Sequence, residues 1–253
     1  MRGMNAFTQD LLTQALAPRR VRYSPSTGST NDDAIAWLAE QPPQGSVVTS
    51  DEQHDGRGRL GRPWYAPAGS GLLLSVVAYP PREHLTRLTM VGALAVVDVL
   101  ESYGISKVGI KWPNDVRVDA RKICGVLPEA AWDGERLLGA ALGIGLNVNI
   151  PFVLTPYAET AISISDALGE PVDRLLTLKR LLASVDDWLT NIHTTTIFET
   201  WRARLVTLGT QVTVQTPNGV RSGYAEDVTP EGGLLLRKAD GTLEQVIAGE
   251  IGV

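Results

Sequence analysis

Three strand-like segments, at residues 107–112, 122–129 and 137–149, follow one another through connections too short for a crossover helix, so the chain's main sheet must be largely antiparallel. The apolar run at 71–79 reads as a further buried strand, and Ser-Val-Val-Thr at 46–49 as a short one. Helical spacing appears over 30–40, 85–103 and 175–201, and Gly28-Ser29-Thr30 supplies a capping sequence for the first of these. From about residue 208 the pattern changes. Pro217-Asn218-Gly219, Gly232-Gly233 and Asp240-Gly241 divide alternating segments into hairpins, enough for a small barrel. The expected order is a short N-terminal extension at 1–22, an α+β body at 23–207 and an all-β domain at 208–253.

Composition narrows the class. A chain of 253 residues that is 43% hydrophobic can bury a proper core, and a net charge of -5 argues against a surface built to hold DNA. The single cysteine, Cys124, excludes an intrachain disulfide and suits a reducing compartment. Residues 1–22 lack a signal-peptide core, and no run approaches the ~18 apolar residues of a membrane span. The expected location is cytoplasmic, with no membrane partner.

Residues 53–64, Gln-His-Asp-Gly-Arg-Gly-Arg-Leu-Gly-Arg-Pro-Trp, read as a clamp for anions. Arg57, Arg59 and Arg62 offer forked N–H donors suited to carboxylate and phosphate, while Gly56, Gly58 and Gly61 permit positive φ and close approach. The glycine spacing imitates the dinucleotide fingerprint. That motif needs a strand before it and a helix opening on its last glycine, whereas acidic residues precede this run and Pro63 and Pro67 follow it, so the nicotinamide reading fails. Ordering so many glycines costs about 1–2 kcal/mol per residue, which predicts a lid that orders around its ligand.

Lys107-Val-Gly-Ile-Lys-Trp-Pro-Asn-Asp alternates as a strand and ends at Pro113, leaving Asn114 and Asp115 at a strand end facing a cleft. A turn centred on Asp119-Ala120 predicts Asp115 opposite Cys124, with Lys122 its diagonal neighbour on one face with Cys124 and Val126. For Lys111 and Asp115 an ordinary charged hairpin explains the pattern as well. Lys122, on an otherwise apolar face, calls for an anion. Cys124 reads as a small buried hydrophobe with no chemistry. Gly143 and Gly145 mark close approach of a ligand or another strand, and Asn147 ends its strand with an amide able to donate and accept.

These motifs together, Ser29-Thr30-Asn31, Gly56 through Trp64, Lys111-Trp-Pro-Asn-Asp115, Lys122 through Leu127 followed by Glu129, and Gly143-Ile-Gly-Leu-Asn147, resemble the biotin protein ligases from about Thr27 to the C-terminus. The resemblance implies a class II aminoacyl-tRNA synthetase-like catalytic sheet with helices, followed by an SH3-like barrel. It also implies a two-step reaction. Biotin and ATP, with Mg²⁺ on the phosphates and no metal site fixed by protein alone, give biotinyl-5'-AMP; a lysine of a biotin carboxyl carrier protein then displaces AMP. Carried over by position, Ser29, Thr30, Asn31, Gln53, Gly58 and Gly125 become biotin contacts, and Trp64, Asn114 and Asn147 nucleotide contacts. Arg57 and Arg59 become the lid over both ligands, with Lys122 at the reacting carboxylate and phosphate. Lys111 adds positive charge, and Asp115 orients or deprotonates the incoming amine. Capping remains the competing account of Ser29 and Thr30. A carboxylate brought within about 4 Å of a phosphate costs roughly 4 kcal/mol per charge pair at an effective dielectric near 20, which fixed cations must offset.

The resemblance has departures. His54-Asp55 precedes the first glycine, where the family often has an apolar or small residue, and Pro63 stiffens the lid's exit. Regulatory members carry a DNA-binding domain of about sixty residues before the body, and the two dozen or so residues before Ser29 are too short for one, so a monofunctional enzyme is expected. Family members are often dimers through the main sheet, which makes a homodimer a possible assembly. A lipoate ligase, with a longer apolar pocket, and a non-catalytic biotin or adenylate sensor are the competing functions; the retained cations and Asp115 argue against the sensor.

Overall fold

The computed structural model describes residues 6–252. In chain order the body contains α1 (Gln9–Ala15), β1 (Val21–Thr27), α2 (Thr30–Trp37), β2 (Val47–Gln53), β3 (Gly71–Ala78), α3 (Leu88–Ser102), β4 (Val108–Lys111), β5 (Asp115–Val118), β6 (Arg121–Asp133) and β7 (Arg136–Asn147). Helices α4 (Ile164–Leu168), α5 (Arg174–Thr190) and α6 (Thr195–Ala203) complete it. The strands form one seven-stranded sheet in the order β1-β2-β3-β7-β6-β5-β4, in which β1 and β2 run parallel and the remaining pairs antiparallel. The expected α+β body is present.

Alternation along the central strands gives the sheet two different faces. Leu72, Leu74, Val76, Leu142, Ile144, Leu146, Cys124 and Val126 belong to the large core that also includes α3 and α5 side chains. Gly92 of α3 allows that close packing, since a Cβ there would lie 2.6 Å from Val126 Cγ1. On the opposite face, Val77 and Ala141 join Ala34, Trp37 and Leu38 in a smaller cluster beneath α2. Farther along this second face the row changes to Ser75, Gly143, Gly145 and Asn147, leaving room for a cavity.

Several expectations need correction. The stretch set apart as an extension at 1–22 contributes α1 and the start of β1, and Leu12 of that helix, with Phe7 before it and Leu16 at its end, enters the main core. Residues 175–201 form two helices, broken after α5 where Asn191 Nδ2 donates to Asp187 O and turns the chain. Both sheet edges are covered. Gln9 bonds the β1 backbone at Val21 O (3.0 Å) and Tyr23 N (2.8 Å), while Ile110 N of β4 donates to Arg204 O (2.8 Å) and receives Val206 N on its carbonyl (3.0 Å). A dimer made by strand addition must displace these bonds.

The C-terminal domain holds β8 (Gln211–Thr216), β9 (Gly219–Val228), β10 (Leu234–Arg237), β11 (Leu243–Val246) and β12 (Glu250–Ile251), antiparallel in the order β11-β10-β9-β8-β12. Hairpins turn where expected, with Gly219, Gly232 and Gly241 at positive φ. The domain is tied to the body by Trp112, whose indole Nε1 donates to Gly232 O (2.8 Å) and whose backbone N donates to Thr207 Oγ1 (2.9 Å).

At the other end of the sheet Asp51 accepts from Tyr23 OH (2.8 Å) and from buried Arg174 (2.7 Å). Burial, and then the bond to Asp51, push the Tyr23 phenol up to about 12. The folded state therefore favours the neutral phenol, and the stability this gives is complete below about pH 10 and is lost as pH rises toward about 12. Tyr23→Phe is expected to lessen the alkaline fall in the urea midpoint across that window; an unchanged fall would contradict the assignment.

Candidate functional site

A cavity of about 320 Å³ opens on the second face of the sheet. Its floor is set by strand pairing: Ser75, Gly143 and Leu127 lie side by side, as do Leu73, Gly145, Gly125 and Asp115 in the next row. Residues 143, 145 and 147 of β7 thus face the cavity in turn and span roughly 14 Å.

One end is polar. Thr30 N and Oγ1 donate to Gln53 Oε1 at 2.7 and 2.9 Å. Ser75 Oγ, fully buried, lies 2.9 Å from Thr30 Oγ1 and 2.6 Å from Asn31 Oδ1 and donates to one of them. Asn31 Nδ2 donates to Leu127 O (3.0 Å) and Glu129 Oε2 (2.6 Å). Ser29 stands at the N-cap of α2 without a side-chain capping bond, so capping does not account for it. The glycines also find their reason here. A Cβ on Gly143 would meet Asn31 Oδ1 at 2.5 Å, and one on Gly145 would meet the Trp64 ring at 2.7 Å.

The other end carries the charges. Lys122 Nζ lies 2.6 Å from Asp115 Oδ1 and 5.3 Å from the centre of the Trp64 ring. The expected register is wrong by one residue: Asp115 pairs with Gly125, not Cys124. Residues 160–162 bond the Lys122 backbone on both sides (Lys122 N to Thr160 O, 2.8 Å; Ile162 N to Lys122 O, 2.9 Å), and Ile123 is left as the extra residue of a β-bulge. The bulge sends Lys122 to the cavity and Cys124 to the core, overturning their expected shared face. Burial pushes the Cys124 thiol far up, in keeping with a residue that does no chemistry.

The lid closes on itself through Gly58 N to Arg62 O (2.7 Å) and Trp64 N to Gly56 O (2.8 Å). Of its glycines Gly61 adopts positive φ, beside Leu60 at 56°, whereas Gly56 and Gly58 do not, so the positive φ expected of the three is found at Gly61 alone. The arginines divide. Arg57 forms a two-pronged pair with Asp32 (2.8 and 2.6 Å) and reaches Glu129 at 3.1 Å. Arg62 pairs with Glu250 of the C-terminal domain. Arg59 has no carboxylate partner among the described residues, lines the cavity, and has its basicity lowered by burial. Lys111, expected among the free cations, gives its ammonium to Ile251 O (2.9 Å), and burial lowers its pKa. Asn114 lines the cavity and donates its Nδ2 to Val126 O (2.8 Å). Asn147 Nδ2 donates to Ile162 O (3.1 Å), but its buried Oδ1 and the Trp64 Nε1 have no partner among the described residues.

Two segments match known families, residues 23–147 the biotin/lipoate A/B protein ligase family and residues 207–252 the biotin protein ligase C-terminal domain. The bifunctional ligase/repressor BirA of Bacillus spizizenii is 31% identical over 237 residues, covering 90% of this chain and 72% of the relative. The biotin–acetyl-CoA-carboxylase ligase of Mycobacterium tuberculosis is 32% identical over 244 residues, 92% of this chain and 88% of its own length. The chain belongs to the biotin protein ligase family. The fold agrees: the biotin protein ligase of Aquifex aeolicus in complex with biotin and ATP aligns with a TM-score of 0.78 at 26% identity, over 92% of this chain and 97% of that one.

Around this biotin protein ligase cavity the structure adds residues that the sequence did not single out: Tyr65, Phe152 and Tyr157 line it, while Ser75 and Asp32 lie behind the lining and hold Asn31 and Arg57. Ser75 was visible as the one polar residue in an apolar strand, and Asp32 as a neighbour of Asn31. Tyr65, Phe152 and Tyr157, with ring centroids 5.2–6.3 Å apart, come from distant segments and gave no local signal. Gly145→Ala is expected to push Trp64 aside and weaken biotin binding about tenfold, read by titration calorimetry, because a filled close contact strains its neighbours. Unchanged affinity would show that Trp64 does not shape the ligand's space.

Proposed function

We propose that this chain joins biotin to ATP and passes the biotinyl group to a carrier lysine, and one observation carries the reading. A single cavity holds a polar floor of Thr30, Asn31 and Gln53, backed by the buried Ser75 hydroxyl, at one end and Lys122, Asp115 and Arg59 at the other. The floor suits a ureido head group, which both donates and accepts, and the far end suits a carboxylate meeting a phosphate.

In the first step a biotin carboxylate oxygen attacks the α-phosphorus of ATP, the bond to pyrophosphate breaks and an acyl phosphate anhydride forms. Arg59 and Lys122 offset the charge that gathers there, and Mg²⁺ enters with ATP. Lys122 exchanges Asp115 for the reacting oxygens. Asp115 is then free to accept a proton from the carrier amine as that amine attacks the anhydride carbonyl, the C–O bond breaks and AMP leaves. Asn147 Oδ1 and Trp64 Nε1, buried without partners among the described residues, are the groups offered to the adenylate. The carrier is a biotin carboxyl carrier domain.

The test incubates the protein with MgATP and a carrier domain, supplies biotin or lipoate, and weighs the carrier. Mass gain with biotin alone is expected; gain with lipoate alone, or with neither acid, would overturn the reading. Lys122→Gln is expected to slow adenylate formation by about 10²–10³. Asp115→Asn is expected to leave that step within about threefold and slow transfer by about 10², and equal loss in both steps would remove the proposed role of Asp115.

A further inference from the structure

Glu129 occupies a place that the reaction does not explain. Its carboxylate accepts from Asn31 Nδ2 at 2.6 Å through Oε2, and Arg57 of the lid reaches the same carboxylate at 3.1 and 3.2 Å. Asn31 in turn joins Ser75, Thr30 and Gln53, the polar floor. One carboxylate therefore ends two networks, that of the cavity floor and that of the lid. Asp32 holds Arg57 from the other side but makes no bond to the floor among the described residues. Arg57 faces two carboxylates with one positive charge, so an arriving anion meets a net negative group here, and Arg57 is ill placed to be the cation that offsets the reaction.

We propose that Glu129 is a positioning residue that couples occupancy of the biotin floor to closure of the arginine lid, an inference that rests on the biotin reading above. A head group that settles the Asn31 amide fixes its bond to Glu129, and a fixed Glu129 gives Arg57 a preorganised partner. Asp32 supplies a latch of constant strength. Glu129 supplies the part that depends on the ligand.

The difference between the two carboxylates makes the proposal testable. Trypsin cleavage within residues 57–62 reports lid opening, and titration calorimetry reports biotin binding. In the unaltered protein saturating biotin is expected to slow lid cleavage by about tenfold, the scale of a charge-assisted hydrogen bond. Asp32→Asn is expected to speed cleavage with and without biotin and to keep that ratio. Glu129→Ala is expected to speed cleavage without ligand and to reduce the ratio to less than about twofold at saturating biotin, with Glu129→Gln, which still accepts from Asn31, recovering part of it. A Glu129→Ala protein that keeps the full ratio overturns the coupling, as does an unaltered protein that binds biotin with no change in cleavage. Circular dichroism melts identify any variant that fails to fold, and Glu129→Gln then carries the test. Failure of the biotin reading looks different: the unaltered protein gives no heat with biotin, and ligand-free cleavage of the variants still decides whether Glu129 latches the lid.

Discussion

Polar atoms buried on the face of an apolar sheet must find partners, and this requirement organises the whole site. Ser75 lies in the middle of β3, fully enclosed, and nothing on its own strand satisfies its hydroxyl. Thr30 and Asn31 at the start of α2 do so, which fixes where that helix meets the sheet. Asn31 then needs the space over Gly143, and any larger residue there collides with its amide. Trp64, by contrast, rests on Gly125 and Gly145 because the missing side chains leave space for its ring, and the exit of the lid comes down with it.

Charge follows the same pattern of local pairing. Arg57 is tied to Asp32 and Glu129, Arg62 to Glu250, and Lys111 to backbone carbonyls of the C-terminal strand. That last set of bonds gives the small domain a part in the site, since Glu250 lines the cavity and holds the lid from outside. Among the described residues, what remains for an incoming anion is Arg59 and Arg117, which line the cavity without a carboxylate partner, and Lys122 once it leaves Asp115. Three cations against a carboxylate and a polyphosphate are few, which is why Mg²⁺ belongs with the nucleotide in the proposed reaction.

Much of this was legible in the chain. A continuous apolar run revealed β3, alternation revealed β4, short connections revealed the antiparallel order of β6 and β7, hairpin glycines revealed the small domain, and the Arg and Gly spacing of residues 56–62 pointed to the lid. What escaped was whatever depends on a distant segment. The β-bulge at Ile123 arises because residues 160–162 take the Lys122 backbone, and no local pattern signals it. The pairing of Arg57 and Lys111 with protein groups was hidden for the same reason: a cation in a motif looks free until its carboxylate or carbonyl partner, far along the chain, is placed beside it. Helix α1 was missed because it is short and its burial comes from tertiary packing rather than a clear amphipathic repeat.

The central claim is that one cavity brings a biotin carboxylate to the α-phosphorus of ATP. Exchange of labelled pyrophosphate into ATP, measured without any carrier protein, tests that step alone. The account predicts exchange that requires biotin and is lost in Lys122→Gln; exchange that proceeds equally without biotin, or none in the unaltered protein, would contradict it.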